Sequence, residues 1–461
     1  MPTARAKISA LRGRLDETLF RDSPPATPTA QRTPQLLMIA GLFVLAILLQ
    51  MLRVGWSVSL HSLWAEDGAV YVSGAVHSGF GGSLFDTYAT YLVFVPRGIA
   101  ELADLLPLSD APAGISIISG AVIALSGLVV WRATAGLIEN PYLRGALAAL
   151  TVLSPVGGLE STDSAAYVPW YMLFASFWIL LWRPRTSGGA VFAGLFVLLT
   201  GLSTPGVWFF IPMALLRTLA TRDRRDAIVL AGYWIGAFVQ VPVLMFNDEE
   251  AVSPLWTHDI WTAYLQRVLD GAAFGFRIGG EAWIQLGWVF LIALLLVAIA
   301  GLIWGAMRSN FGARLLALVA IPISVAMFVV SAYQRAVGSD LMWRANDAAE
   351  AAGRYAIVPS LLLVSVAFVM LDRRSRRREE EGRPAWLAIG ATALAAVVIA
   401  ASFYVGDTAV RGAPPWEAAL DAGAESCAAD QNNDSTSGGG EAAVPTSPPG
   451  WGLSVPCDQL P

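Results

Sequence analysis

The sequence predicts an all-α polytopic membrane protein of about eleven transmembrane helices. Three observations carry this. The 461 residues are 56% hydrophobic and only 14% charged, a balance that excludes an ordinary soluble domain. Uncharged stretches recur along the whole chain, most of them close to the 20 or so residues that cross a hydrocarbon core. Basic residues also cluster in alternate connections, as the positive-inside rule demands.

In chain order, residues 1–34 read as a basic, proline-rich arm (Arg5, Lys7, Arg12, Arg14, then Pro24, Pro25 and Pro28), predicted disordered and cytoplasmic. The arm does not have the form of a signal peptide, because the apolar run begins too late and is too long. The transmembrane region, 35–406, follows. Its uncharged runs are Thr33–Leu52, Ala111–Trp131, Gly145–Leu159, Ser164–Trp182, Thr186–Leu216, Ala227–Asn247, Ala282–Met307, Leu315–Gln334, Tyr355–Leu371 and Pro384–Gly406. Thr186–Leu216 is too long for one crossing and carries Gly201-Leu202-Ser203-Thr204-Pro205-Gly206 near its middle, which breaks a helix. A single crossing would also put the basic stretches 183–185 and 217–225 on opposite sides. A hairpin of two short helices resolves both problems and brings the count to eleven, with the N-terminus inside and the C-terminus outside. Segments then assigned inside hold 22 of the 30 Lys and Arg residues but 10 of the 35 acids.

The outer loops are 53–110, 157–167, 248–281 and 335–354. In the first, Ala69–Val72 and Thr87–Arg97 are too apolar for free loop and too short to span, so they are predicted as interfacial helices joined by a turn at Gly79–Ser83. Trp256, Trp261, Tyr264, Leu265, Val268 and Leu269 at helical spacing predict another such helix in the third loop. The tail, 407–461, is outside and holds both cysteines of the chain. An oxidising compartment makes a Cys427–Cys457 disulfide the expectation.

Glu66-Asp67, within Trp64-Ala65-Glu66-Asp67-Gly68, is the candidate catalytic pair. It follows the first span closely, where two adjacent carboxylates are costly unless a base or a ligand is needed. The bland alternative is a solvated helix start, since acids favour helix N-termini. Glu160 and Asp163 form a second acidic cluster after the short third span, which contains Pro155 and should end below the bilayer surface; the same residues could merely cap span four. Arg354, at the outer start of span ten, is the leading candidate for binding a phosphate, with Arg97 and Arg344 behind it. A snorkelling anchor is the competing account of Arg354. Trp64 is placed to stack on a sugar, or to sit in the interfacial aromatic belt. His61, His77 and His258 show no metal-ligand spacing. A nucleotide motif of the form G-x-x-x-x-G-K-[ST] does not occur in the chain. Outer carboxylates beside arginines point to a lipid-linked phosphate as leaving group and a carboxylate that deprotonates an attacking hydroxyl.

This layout resembles the GT-C class of integral membrane glycosyltransferases, which take sugars from polyprenyl-phosphate donors. The resemblance rests on Glu66-Asp67 after span one, on Glu160 and Asp163 after span three, and on the interfacial segments beside them. The stretch Trp64–Gly68, with Tyr91-Leu92 and Pro96-Arg97 downstream, is also similar to polytopic membrane proteins of high-GC actinobacteria. The resemblance implies an inverting transfer to an outer hydroxyl on a cell-envelope glycan, lipid or protein, at the plasma membrane. It makes no cofactor certain. Members that use a divalent metal gather several acids, and the metal is left open here. Two other classes compete: a transporter or flippase for a lipid-linked precursor, and a non-catalytic scaffold of envelope assembly. Nearly charge-free spans and the lack of a repeat between halves weigh against transport.

Overall fold

The computed structural model describes residues 4–21, 32–158, 161–246, 259–334, 353–405, 415–431 and 440–460. Among the described residues the regular structure is helical apart from two small hairpins. α1 (Ala4–Thr18) precedes the first long apolar helix, α2 (Arg32–Val54), and the short α3 (Trp56–His61). The loop after α3 then folds as a π-helix at Asp67–Val72, α4 (Ser73–Ser78), a hairpin of β1 (Thr87–Tyr88) and β2 (Tyr91–Leu92), and α5 (Phe94–Ala103). Next come α6 (Ala111–Ala133), α7 (Pro141–Val152), α8 (Val168–Leu181), α9 (Ser187–Gly201), α10 (Ile211–Ala220) and α11 (Arg224–Phe246). α12 (Asp259–Ala263) leads through a π-helical turn into α13 (Gly271–Leu286), followed by α14 (Trp288–Arg308), α15 (Phe311–Gln334), α16 (Arg354–Glu380) and α17 (Trp386–Ala401). The tail adds α18 (Trp416–Gln431) and the antiparallel strands β3 (Glu441–Thr446) and β4 (Trp451–Pro456).

Each apolar run of the sequence contains helix among its described residues. Among the described residues, 6 helices are long and apolar enough to cross a membrane: Thr33–Val54, Leu108–Gly136, Arg224–Phe246, Trp288–Arg308, Phe311–Gln334 and Arg354–Glu380. Four shorter apolar helices, at Ala165–Leu181, Ser187–Gly201, Pro205–Ala220 and Trp386–Ala401, and the 12-residue α7 account for the remaining runs.

The break at Leu202–Thr204 turns the chain back. Thr204 caps the next turn by accepting the Gly206 N–H at 3.1 Å. The basic ends meet as a result: Arg183 lies 3.4 Å from Asp226, which Arg217 also pairs at 3.0 Å. Arg217 donates to the carbonyls of Ile179, Leu180 and Trp182 at 2.7–2.9 Å, satisfying acceptors that the end of α8 leaves open. Small residues let α9 and α11 touch along their backbones: a Cβ on Gly201 would stand 2.7 Å from the Gly236 Cα.

Two expectations are corrected. Residues 4–18 of the arm are helical, and α1 docks beside the 183–185 and 217–226 clusters. Leu15, Leu19 and Phe20 are fully buried there, and Asp16 pairs Arg183 at 2.7 Å and Arg222 at 2.9 Å. Leu15 on the helix, with Leu19 and Phe20 just past its end, supplies the burial that offsets the cost of ordering. Thr87–Leu92 is a hairpin rather than an interfacial helix; its two turn residues, Ala89 and Thr90, adopt φ of 54° and 78°.

At the opposite end of the bundle, Arg53 is wholly buried and ties three helices together. Its guanidinium donates to the carbonyls of Ser154 at 2.6 Å and Gly157 at 3.0 Å, past the end of α7. It also donates to Phe403, past α17, at 3.0 Å. These contacts fix the start of the short loop that carries Asp163.

Candidate active site

Glu66 and Asp67 begin the π-helical turn that follows Leu63-Trp64-Ala65. That tripeptide is held as if in a sheet by the distant tail: the Ala65 N–H donates to the Ser447 carbonyl at 2.5 Å, and the Ser447 N–H to the Leu63 carbonyl at 2.9 Å. The disulfide expected in the tail joins Cys427 to Cys457, with Cα atoms 5.8 Å apart, and so clips α18 to the end of β4. Trp416 and Gln459 make further bonds to the Leu108 and Val76 carbonyls.

Asp67 is 1% exposed. Its two oxygens accept the N–H groups of Ala166 at 2.9 Å and Ala165 at 3.2 Å, from the 3₁₀ turn that opens α8. Burial pushes its carboxyl up to about 7, with the neighbouring Glu66 charge adding to the rise and the backbone donors opposing it. Glu66 is half-buried and accepts the Tyr167 hydroxyl at 3.2 Å. The same hydroxyl accepts Arg354 Nη1 at 3.0 Å and Trp64 Nε1 at 3.4 Å. The Arg354 guanidinium lies 5.2 Å from the Tyr167 ring centroid and 4.9 Å from that of Tyr355, whose hydroxyl it also reaches at 3.2 Å. Trp170 packs edge-on against Tyr355 at 5.7 Å. One end of the bundle therefore gathers both acids, an arginine and an aromatic wall.

Asp163 joins them from the other side. It holds a left-handed φ of 65°, and its Oδ2 lies 3.0 Å from the Ser116 hydroxyl of α6. Asp67, Asp163, Trp64, Ser116, Thr162 and Ser447 are among the residues lining one small cavity. It has room for about one water molecule.

Three of the predicted residues, Glu66, Trp64 and Arg354, thus meet at the Tyr167 hydroxyl, Asp67 is the chain neighbour of Glu66, and Asp163 lines the same cavity as Trp64 and Asp67. Arg97 is not part of this group. It is 4% exposed and clamps the first outer loop, donating to the Asp86 carbonyl at 2.9 Å and the Thr87 carbonyl at 3.2 Å, with its guanidinium over Tyr71. Glu160, Arg344 and His258 lie outside the described residues. His61 and His77 face Glu417 and Glu441 of the tail at 3.8 and 3.3 Å. Sequence reasoning missed Tyr167, Tyr355, Ser116 and Ser447. Only Tyr355 carried a signal, its adjacency to Arg354.

As a divalent-cation site the described residues fit poorly. No three His, Cys, Asp or Glu residues converge among them, and Asp67 directs both oxygens at backbone N–H groups while burial favours its neutral form.

No family model and no curated protein matches the chain. Among solved structures it is similar to the oligosaccharyltransferase of Archaeoglobus fulgidus, a GT-C glycosyltransferase. The apo form aligns with a TM-score of 0.43 at 13% identity over 84% of this chain. The same enzyme, AglB, in complex with an inhibitory peptide and a dolichol-phosphate aligns with a TM-score of 0.44 at 13% identity over 86% of this chain. The chain spans 57% and 59% of the length of these two structures.

Proposed function

We propose that this chain is a membrane glycosyltransferase with eleven crossings, its N-terminus in the cytoplasm and its site on the outer face of the plasma membrane. It moves a sugar from a polyprenyl-phosphate donor to a hydroxyl of an envelope glycan, lipid or protein. One observation carries this reading: the buried Asp67 directly follows Glu66, which the Tyr167 hydroxyl links to Arg354, an arginine packed against the rings of Tyr167 and Tyr355 at the start of a span.

The roles follow from the chemistry. Asp67 accepts the proton of the acceptor hydroxyl as that oxygen bonds to the anomeric carbon. The bond from the anomeric carbon to the phosphate oxygen breaks, and its electron pair leaves with the lipid phosphate. Arg354 stabilises that charge. A single displacement of this kind inverts the anomeric centre. Trp64, beside Glu66, offers a face for the sugar. No metal takes part in this reading. The cavity at Asp67 admits about one water molecule, so an acceptor hydroxyl reaches the carboxylate only if the surroundings of Asp67 widen. A second assignment has its own support: Glu66 is the more exposed acid and the one bonded to the Arg354 network, so it could serve as base while Asp67 orders the loop.

Profiling the glycans and lipid-linked sugars of cells carrying Asp67→Asn, at protein levels matched to wild type, tests the proposal. Loss of one sugar decoration with accumulation of its polyprenyl-phosphate donor is expected. An unchanged profile, where deletion of the gene alters it, removes Asp67 as base and moves the assignment to Glu66, to transport or to scaffolding.

A further inference from the structure

We infer that Tyr167 is a positioning residue: its hydroxyl couples the acidic pair to Arg354 and holds that guanidinium at the place where the leaving phosphate binds. The inference rests on the glycosyltransferase reading above and adds a residue to it.

The argument begins with the turn Ala165–Tyr167. Three consecutive residues address both acids, two through backbone N–H groups to Asp67 and the third through its hydroxyl to Glu66. The hydroxyl then stands between unlike charges. It donates to the Glu66 carboxylate at 3.2 Å and accepts from Arg354 Nη1 at 3.0 Å. A phenol is neutral, so it links the two groups without neutralising either. Direct closure of the guanidinium onto the carboxylate would place a negative charge where the phosphate must sit. The ring adds a second contact under the same guanidinium, and Tyr167 itself is only 4% exposed, so the hydroxyl has little freedom to leave its partners. Side chains that hold an arginine fork in place reduce what the ligand must spend on ordering it.

Phenylalanine at this position keeps the ring and its stacking while deleting one oxygen, which separates coupling from packing. The test uses the purified full-length chain in nanodiscs, with geranylgeranyl phosphate as probe and uncharged geranylgeraniol as control. Dissociation constants are measured for wild type, Tyr167→Phe, Arg354→Gln and the double variant, with melting temperatures as the check on folding. Arg354→Gln is expected to weaken phosphate binding at least tenfold and Tyr167→Phe about threefold to tenfold. The double variant should bind within twofold of Arg354→Gln alone, because coupled residues are not additive. Geranylgeraniol binding should not change in any of them. If Arg354→Gln weakens binding but Tyr167→Phe does not, or if the two effects simply multiply, the coupling role is overturned and the donor-site reading stands. If Arg354→Gln binds the phosphate like wild type, the donor-site reading falls and this inference with it.

Discussion

The protonation of Asp67 offers the sharpest test, because burial moves its carboxyl from 3.8 to about 7 and this has separate consequences for rate and stability. A base works only when deprotonated. Half of the molecules carry an ionised Asp67 near pH 7, roughly a tenth at pH 6 and roughly a hundredth at pH 5. The logarithm of kcat/KM should therefore fall with unit slope below pH 7. Stability runs the other way. The unfolded chain releases this proton near 3.8 and the folded chain only near 7, so the folded state holds the extra proton between those values. The stabilising effect is complete below about pH 4 and is lost as pH rises to about 7. At 1.36 kcal/mol per pH unit, it amounts to on the order of 4 kcal/mol. Asp67→Asn removes the base and should lower kcat/KM by roughly 10² to 10⁴. It should also flatten the acid limb and leave one of the Ala165 and Ala166 N–H groups without its carboxylate partner, costing about 1–3 kcal/mol. The assay is release of polyprenyl phosphate by the protein in nanodiscs from pH 5 to 9, using the donor identified by profiling, with urea unfolding of the same samples. A wild-type rate that is flat from pH 5 to 8 refutes Asp67 as the base. An acid limb that survives in Asp67→Asn and vanishes in Glu66→Gln transfers the role to Glu66.

Two further perturbations probe the framework. Arg53→Met leaves the Ser154, Gly157 and Phe403 carbonyls without their charged donor. At roughly 1.5–3 kcal/mol per such bond, a loss of at least about 3 kcal/mol is expected, read as a lower melting temperature in nanodiscs; a melting temperature equal to wild type would show that the staple is dispensable. Cys427→Ser opens a closure of 30 residues. It should cost the tail roughly 3–4 kcal/mol and expose it to limited proteolysis, while the helical bundle melts as before. Equal protease resistance with and without the bond would refute the clip.

The bundle was legible because charge and hydropathy report directly on lipid and water, and the hairpin at Leu202–Thr204 followed from arginines that had to share a side. Glu66, Asp67 and Arg354 were legible for a related reason: ionised groups at the rim of an apolar bundle are costly and need an explanation. Tyr167 was not, because a tyrosine at the outer start of an apolar helix also reads as an interfacial belt residue. The Thr87–Leu92 hairpin was hidden because its turn uses Ala89 and Thr90 at positive φ, without the glycine or asparagine that normally marks one. α1 was hidden by the opposite bias, since its arginines obscured the spacing of Leu15, Leu19 and Phe20. Ser447 lay beyond any local rule, as nothing near it in sequence refers to Leu63 or Ala65.

That last contact bears on when the molecule becomes competent. Gln459 bonds the Val76 carbonyl across 383 positions of sequence, and Ser447 threads between Leu63 and Ala65 in the same corner. The corner around the acidic pair is thus among the earliest segments synthesised and among the last to be finished. In the proposed topology it waits on every crossing in between, on export of the tail and on oxidation of its cysteines. On the proposed reading, a partly inserted chain would carry Glu66 and Asp67 without Ser447 and Gln459 beside them, and the corner would be complete only once the tail had arrived.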